Sequence, residues 1–234
     1  MSAQIKYLGH STFLVQSPDG KKILFEPWVH NNPACQDKTL PNLDLILISH
    51  GHSDHMWDAA KIASETGQPP TLCIVEIADY LEDSLPSVVG MNKGGAYLHG
   101  SLKATFVNAH HSSSLVEETP SGYVNRVGGD PGAWVLKMDG GPTIYHAGDT
   151  CAFGDMKIIM DLHKPDVAIL PIGDHYTMGP EEAAYAANMM GVPKVIPCHF
   201  ATFPILRGRP EEMAPHLKQG IELIALQPGE STSI

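Results

Sequence analysis

Six consecutive residues carry more chemistry than folding requires. His50-Gly51-His52-Ser53-Asp54-His55 packs three imidazoles and a carboxylate into one short stretch. Neutral imidazole nitrogens and carboxylate oxygens are the donors taken by Zn²⁺ and its first-row neighbours. The stretch follows Leu43-Asp44-Leu45-Ile46-Leu47-Ile48-Ser49, an apolar run that reads as a buried strand. The donors therefore emerge where a strand ends. Along an extended turn His50 and His52 alternate and can reach one ion, while Asp54 and His55, further round, can face a second. The competing reading is a polar loop that happens to be rich in histidine.

Further candidates end other apolar runs. His110-His111 follow residues 102–109, Asp149 follows 143–147, His175 follows 166–172, and His199 follows 194–197. A histidine held singly in a core or on a helix face by one hydrogen bond is the ordinary case. His30, His99, His146, His163 and His216 are as well explained that way. Residues that end consecutive buried strands fit it less well.

The elements that must position these residues follow from pattern and punctuation. Strands are expected at 5–8, 12–15 and 22–26, the last two joined by the turn Ser17-Pro18-Asp19-Gly20. After the histidine cluster come a helix over 56–66, with Asp58 near its start and Gly67 after its end, a strand at 71–75 and a helix at 76–84. Residues 90–100 read as a glycine-rich turn region. Another strand covers 102–109, and 115–131 is a surface loop or short hairpin, of a length more often functional than idle beside a ligand. A second hairpin, 133–138 with 143–147, leads to a helix at 153–162 and a strand at 166–172. A helix from Gly179-Pro180 runs to Met190, a strand spans 194–197, a helix 210–218 and a last strand 221–226. The second half thus repeats the plan of the first: a hairpin, then strand–helix units whose strands end in His or Asp. Packed face to face, two such halves make an α/β four-layer αβ/βα sandwich of two mixed β-sheets flanked by helices. Ligands on the loops of one edge would then converge in the cleft between the sheets.

Composition bounds the rest. The 234 residues are 43% hydrophobic, enough for one large core, and read as a single domain, 1–234. The formal net charge of −11 argues against nucleic acid as the main partner, since phosphate binding needs a basic track. The four cysteines form no C-x-x-C pair, so neither a thiol redox centre nor a zinc ribbon is indicated. No apolar run approaches the ~20 residues of a membrane helix, and Met1-Ser2-Ala3-Gln4 lacks a signal-peptide pattern. A cytoplasmic protein is expected, with a small-molecule substrate, no membrane partner and a homo-oligomer possible.

In order and spacing, His50-x-His52-x-Asp54-His55, His111, Asp149 and His199 resemble the five-motif pattern of the metallo-β-lactamase superfamily. Leu8-Gly9-His10-Ser11, Ala109-His110-His111-Ser112, His146-Ala147-Gly148-Asp149-Thr150, Gly173-Asp174-His175-Tyr176-Thr177-Met178-Gly179-Pro180 and Pro197-Cys198-His199-Phe200-Ala201-Thr202-Phe203-Pro204 narrow the likeness. They are similar to a metal-dependent hydrolase branch related to the L-ascorbate 6-phosphate lactonase family, over nearly the whole chain. The resemblance implies the metallo-β-lactamase fold and two divalent metal ions, Zn²⁺ first, with Mn²⁺, Ni²⁺ or Fe²⁺ as alternatives. It implies that His50, His52 and His111 hold one ion, that Asp54, His55 and His199 hold the other, and that Asp149 bridges them. His111 is chosen over His110 because the family's ligand directly precedes the serine run. Two ions ~3.5–4 Å apart can share a water, lower its pKa towards ~7 and present hydroxide to an electrophile. Asp54 could both ligate and orient that hydroxide. In this branch the segment at 173–179 lies by the site, which makes His175 a candidate substrate contact or proton donor, or else part of a polar turn capping the next helix. His10 either sits beside the metals or only ties the first hairpin. The family has Asp-Pro after its early strand, its carboxylate bonding a ligand histidine, where this chain has Glu26-Pro27; the longer Glu26 either loses that role or could reach the same imidazole after a small backbone adjustment. Arg207 and Arg209 could receive an anionic group, or form a solvated pair.

The expected activity is a dinuclear hydrolase (EC class 3) acting on an ester, lactone or phosphodiester bond of a small molecule. The rivals are a phosphodiesterase acting on RNA or a lipid headgroup, a di-iron redox protein, and a metal-binding module without catalysis. Fold and ligand set alone do not choose a substrate.

Overall fold

The chain builds the same half-sheet plan twice. The computed structural model describes residues 1–234, the side chain of Glu118 excepted. The first sheet contains β1 (Gln4–Gly9), β2 (Thr12–Gln16), β3 (Lys22–Phe25), β4 (Leu45–Leu47), β5 (Thr71–Ile74) and β6 (Val88–Met91). After β7 (Ala96–His99) and β8 (Leu102–Asn108), a two-stranded hairpin of β9 (Ser114–Thr119) and β10 (Gly122–Val127) intervenes. The second sheet continues with β11 (Gly132–Met138), β12 (Thr143–His146), β13 (Val167–Pro171), β14 (Lys194–Cys198) and β15 (Glu222–Leu223), and β16 (Ser231–Ser233) ends the chain.

Strand order is β16-β1-β2-β3-β4-β5-β6 in one sheet and β15-β14-β13-β12-β11-β8-β7 in the other. From β16 to β3 neighbours are antiparallel, and from β3 to β6 they are parallel. The second sheet switches at β12 in the same way. Sequence dictates the division. β4, β5 and β13 are apolar on both faces and buried throughout, as parallel strands covered on both sides must be.

Among the described residues, six helices complete the halves, the first of them carrying Asp54 and His55 at the mouth between the sheets. α1 (Ser53–Met56), α2 (Ala59–Glu65) and α3 (Val75–Leu81) belong to the first half; α4 (Met156–His163), α5 (Pro180–Met190) and α6 (Pro210–Met213) belong to the second. α5 begins with Pro180 in its first turn and stops at Gly191, whose φ of +69° supplies the left-handed cap. The inner faces meet directly. Trp134 on β11 donates its indole N–H to the Ile48 carbonyl at 3.0 Å, and Gly132 N–H donates to the Ser49 carbonyl at 3.0 Å. The His146 ring stacks on Phe25 at 5.0 Å. One buried apolar cluster draws on both sheets.

Several boundaries differ from the expectation. The helix expected over 56–66 is α2, which starts at Ala59 with Asp58 in the N-cap position, the Asp58 carboxylate accepting from the Val29 and Asn31 N–H groups rather than capping; the short α1 before it was not anticipated. The region 90–100 is not all turn: β6 and β7 flank a short connection. Residues 115–131 take the hairpin form. The helix expected over 210–218 is only α6 followed by a 3₁₀ turn, Ala214–His216, and the strand expected over 221–226 only β15. β16, which pairs with β1, was not anticipated.

Candidate metal centre

The carboxyl ends of β1, β3, β4, β8, β12 and β14 open at one mouth between the sheets. They deliver His10, Glu26, the 50–55 loop, His111, Asp149 and His199. His50, His52 and His111 bring one ring nitrogen each within 4.8 Å of one another. His10, Asp54, His55 and His199 do the same with their own donor atoms. Asp149 lies between the groups: its Oδ2 is 3.3 Å from His55 Nε2, 3.1 Å from His199 Nε2 and 3.6 Å from His111 Nε2.

A network behind the donors fixes which nitrogen each imidazole presents. His50 Nδ1 donates to Ser49 Oγ at 2.8 Å, and that hydroxyl donates to Glu26 Oε2 at 3.0 Å. His50 Nε2 therefore keeps its lone pair towards the mouth, 3.0 Å from His52 Nδ1. His55 Nδ1 donates to Glu26 Oε2 at 2.6 Å, which turns its Nε2 towards Asp149. Glu26 itself has φ +53°, a strained conformation held by these bonds and by the Ser49 N–H on Oε1. The longer carboxylate does reach the imidazole, from a left-handed backbone. His10 also belongs to the site: its Nε2 donates to Asp54 Oδ2 at 3.0 Å and its Nδ1 meets Thr202 Oγ1 at 3.0 Å.

Electrostatics sort the same residues. Burial drives the His50 imidazole well below its ordinary value, aided by the neighbouring His55, so it is neutral and able to ligate. Burial likewise lowers His52 and His111 and, with His199 adding to it, takes His10 down to about 4. Burial opposes the charge on Asp149, but His199 and His55 beside it outweigh that and hold the carboxyl well below the usual range.

The arrangement fits metal ions. His55 Nε2, both ring nitrogens of His199 and Asp149 Oδ1 are buried and lack any hydrogen-bond partner. Buried polar atoms left unpaired cost about 1–3 kcal/mol each. Convergence of basic nitrogens and a carboxylate without hydrogen-bond alignment is what a cation would satisfy.

Other candidates are placed elsewhere. His110 stacks on Phe153 at 4.5 Å and contacts Asn108, away from the donors. His175 is exposed and packs edge-on against Tyr176. It is Tyr176 that lines the cavity above the donors, about 490 Å³, with Trp28, Ser112 and Phe203. Arg209 donates to the carbonyls of Leu206, Arg207 and Gly208, clasping its own loop, and neither arginine lines that cavity. Sequence reasoning missed Ser49, Thr202, Trp28 and Phe203. The signal for Ser49 was its place directly before His50; Thr202 and Phe203 lie within the last quoted motif.

Fold and site together define a metal-site α/β sandwich of the metallo-β-lactamase type. Residues 17–200 match the family described as Beta-lactamase superfamily domain. A UPF0173 metal-dependent hydrolase from Koribacter versatilis is 44% identical over 233 residues, covering 98% of this chain and 97% of the relative. The structure of Igni18, a metallo hydrolase from Ignicoccus hospitalis, superposes with a TM-score of 0.85 at 32% identity, covering 100% of this chain and 99% of the other. The metallo-β-lactamase fold protein YhfI from Bacillus subtilis shares the fold, with a TM-score of 0.71 at 17% identity and 100% of both chains covered. The chain belongs to the UPF0173 metal-dependent hydrolases of this superfamily. Among the described residues, no helix is long and apolar enough to cross a membrane.

Proposed function

We propose that the chain is a hydrolase holding two divalent cations and cleaving an ester, lactone or phosphodiester bond of a small molecule. The carrying observation is the convergence of His55, His199 and Asp149 as buried, unpaired donors beside the His50–His52–His111 group. In this reading His50, His52 and His111 hold one ion, Asp54, His55 and His199 the other, and Asp149 serves both. The donor set suits Zn²⁺ first and accepts Mn²⁺, Ni²⁺ or Fe²⁺. When bound, the ions supply Lewis acidity and lower the pKa of a coordinated water towards neutrality.

The chain's own residues do the rest. Glu26 and Ser49 hold the His55 and His50 rings in the tautomers that face the mouth. His10 holds Asp54 by Oδ2, fixing the rest of that carboxylate at the cavity wall, where it would both ligate an ion and orient a hydroxide beside it. Trp28 and Phe203 keep one wall dry. Tyr176 meets the substrate at the rim, and His175 supports it from outside. The complete donor set speaks against a non-catalytic module, and a cavity without lysine or arginine speaks against RNA.

The test is a panel of lactones, esters, thioesters, a β-lactam and phosphodiesters, offered to metal-reconstituted protein with Asp149→Ala in parallel. One class should be cleaved, with two metal ions bound per chain. Chelation or the substitution should reduce turnover by more than about 100-fold. Two bound ions with no turnover above the variant would overturn the hydrolase reading.

A further inference from the structure

We infer that the groove beside the metal centre, roofed by the β9–β10 hairpin, receives the uncharged apolar arm of the substrate. The inference rests on the hydrolase reading for the bond that is cleaved, but the groove stands on its own geometry. It encloses about 510 Å³ between the hairpin and helices α1, α2 and α3. Ser53, which lies between His52 and Asp54, lines both this groove and the cavity over the metal centre. In this inference one molecule places its reacting group at the donors and runs an arm past Ser53, the wall the two spaces share.

The chemistry of the walls selects that arm. Met56, Leu81 and Leu115 form buried surface in the groove. Three aromatic rings stand open there: Trp57 is 52% exposed, Tyr80 41% and Tyr123 69%. Among the described residues no lysine, arginine or histidine lines the groove, and its polar side chains besides the tyrosines are Ser53, Ser84 and the charged Asp83. The adjoining cavity, beside its histidines and aspartates, also presents aromatic surface from Trp28, Tyr176 and Phe203. A phosphate or carboxylate arm would meet no cationic side chain and would sit on a chain of net charge −11. An alkyl or aryl arm would cover aromatic surface that otherwise faces water.

The roof is tied to the ligand loop. Gly51 N–H donates to Ser113 Oγ at 3.1 Å, that hydroxyl donates to the Gly128 carbonyl at 2.9 Å, and Tyr80 OH donates to the Val116 carbonyl at 3.0 Å. A Cβ on Gly51 would stand 2.9 Å from Leu115 Cδ2, so glycine lets the hairpin root sit directly on the loop that carries His50 and His52. The groove is thus held in register with the reacting centre.

Two readouts test this. The first is hydrolysis of p-nitrophenyl esters from acetate to decanoate by metal-loaded wild type, Ala60→Phe, which fills the groove, and Tyr123→Ser, an exposed change that spares the core. The second is binding of 1-hexanol, 1-octanol and 1-decanol to the metal-free protein, read from Trp57 fluorescence and assigned with Trp57→Phe. The expectation is that kcat/KM and alcohol affinity each rise about two- to fourfold per buried methylene, and that Ala60→Phe flattens both series while Tyr123→Ser weakens them. Ester cleavage indifferent to chain length, with no alcohol binding, would overturn the subsite and leave the hydrolase reading intact. Chain-length-dependent alcohol binding, without cleavage of any ester here or of any lactone or phosphodiester in the panel above, would support the groove and count against the hydrolase reading. A doubled mass in light scattering that Tyr123→Ser abolishes, with flat chain-length series, would assign the groove to a second copy of the chain and overturn the inference.

Discussion

Glu26 stands where the family pattern has a shorter acid, yet it joins two imidazoles to one buried carboxylate. Its Oε2 accepts from His55 Nδ1 and from the hydroxyl that receives His50 Nδ1. Glu26→Gln keeps the shape but removes the charge, so metal affinity should fall about 10–100-fold, as read by competition with a chelator; an unchanged affinity would remove Glu26 from the centre. His146 bears on stability instead. Its Nε2 donates to the Ser11 carbonyl, its Nδ1 accepts from Gly148 N–H, and burial holds it below its ordinary 6.5. The folded chain keeps this ring neutral while the unfolded chain protonates it near 6.5, so acid favours unfolding and stability is lost as pH drops below that value. Glu26, His55 and Asp149 also face the ring, so the informative quantity is wild type minus His146→Gln. The variant should show a shallower loss of unfolding free energy between pH 6.5 and 5, and equal slopes would refute the assignment. At this scale the sequence was most readable for His50, His52, Asp54 and His55, because their spacing is local. What Ser49 does also depends on Glu26, and what Thr202 does depends on His10, partners remote in sequence that no single stretch displays.

At the scale of elements, strands were easier to anticipate than their ends. β13 and β14 announce themselves as apolar runs closed by Gly173 and His199. The start of α2 does not, because Asp58 in its N-cap position gives its carboxylate to the 29–31 loop, a partner remote in sequence. β16 is short and polar and exists only because β1 offers an edge. The turn after β12 carries a sharper demand. Gly148 has φ +60°, and a Cβ there would lie 2.7 Å from both Cβ and Oγ of Ser49. Gly148→Ala should therefore destabilise the fold by more than about 1 kcal/mol in urea unfolding. It should also weaken metal binding, since Ser49 must move from His50. A variant with wild-type stability would show that the turn relaxes at little cost.

The whole molecule is two sheets closed on each other, an arrangement legible from the repeated half-plan because scattered strand-end donors can meet only if the halves face. Trp134 fastens that closure through its bond to the Ile48 carbonyl, two residues before the first donor. Trp134→Phe leaves this buried carbonyl unpaired and should cost about 1–3 kcal/mol of stability. Denaturant midpoints would measure it, and an unchanged midpoint would mean another donor takes the carbonyl. His50, His52, Asp54 and His55 come from the first sheet, while His111, Asp149 and His199 come from the second. A centre divided in this way cannot complete its coordination until the sheets have met. If this centre loads metal, its full ligand set is assembled only once the sheets have closed. Which ion such a centre would keep would then depend on the geometry the closed sheets impose and on what is free where folding finishes, more than on raw affinity.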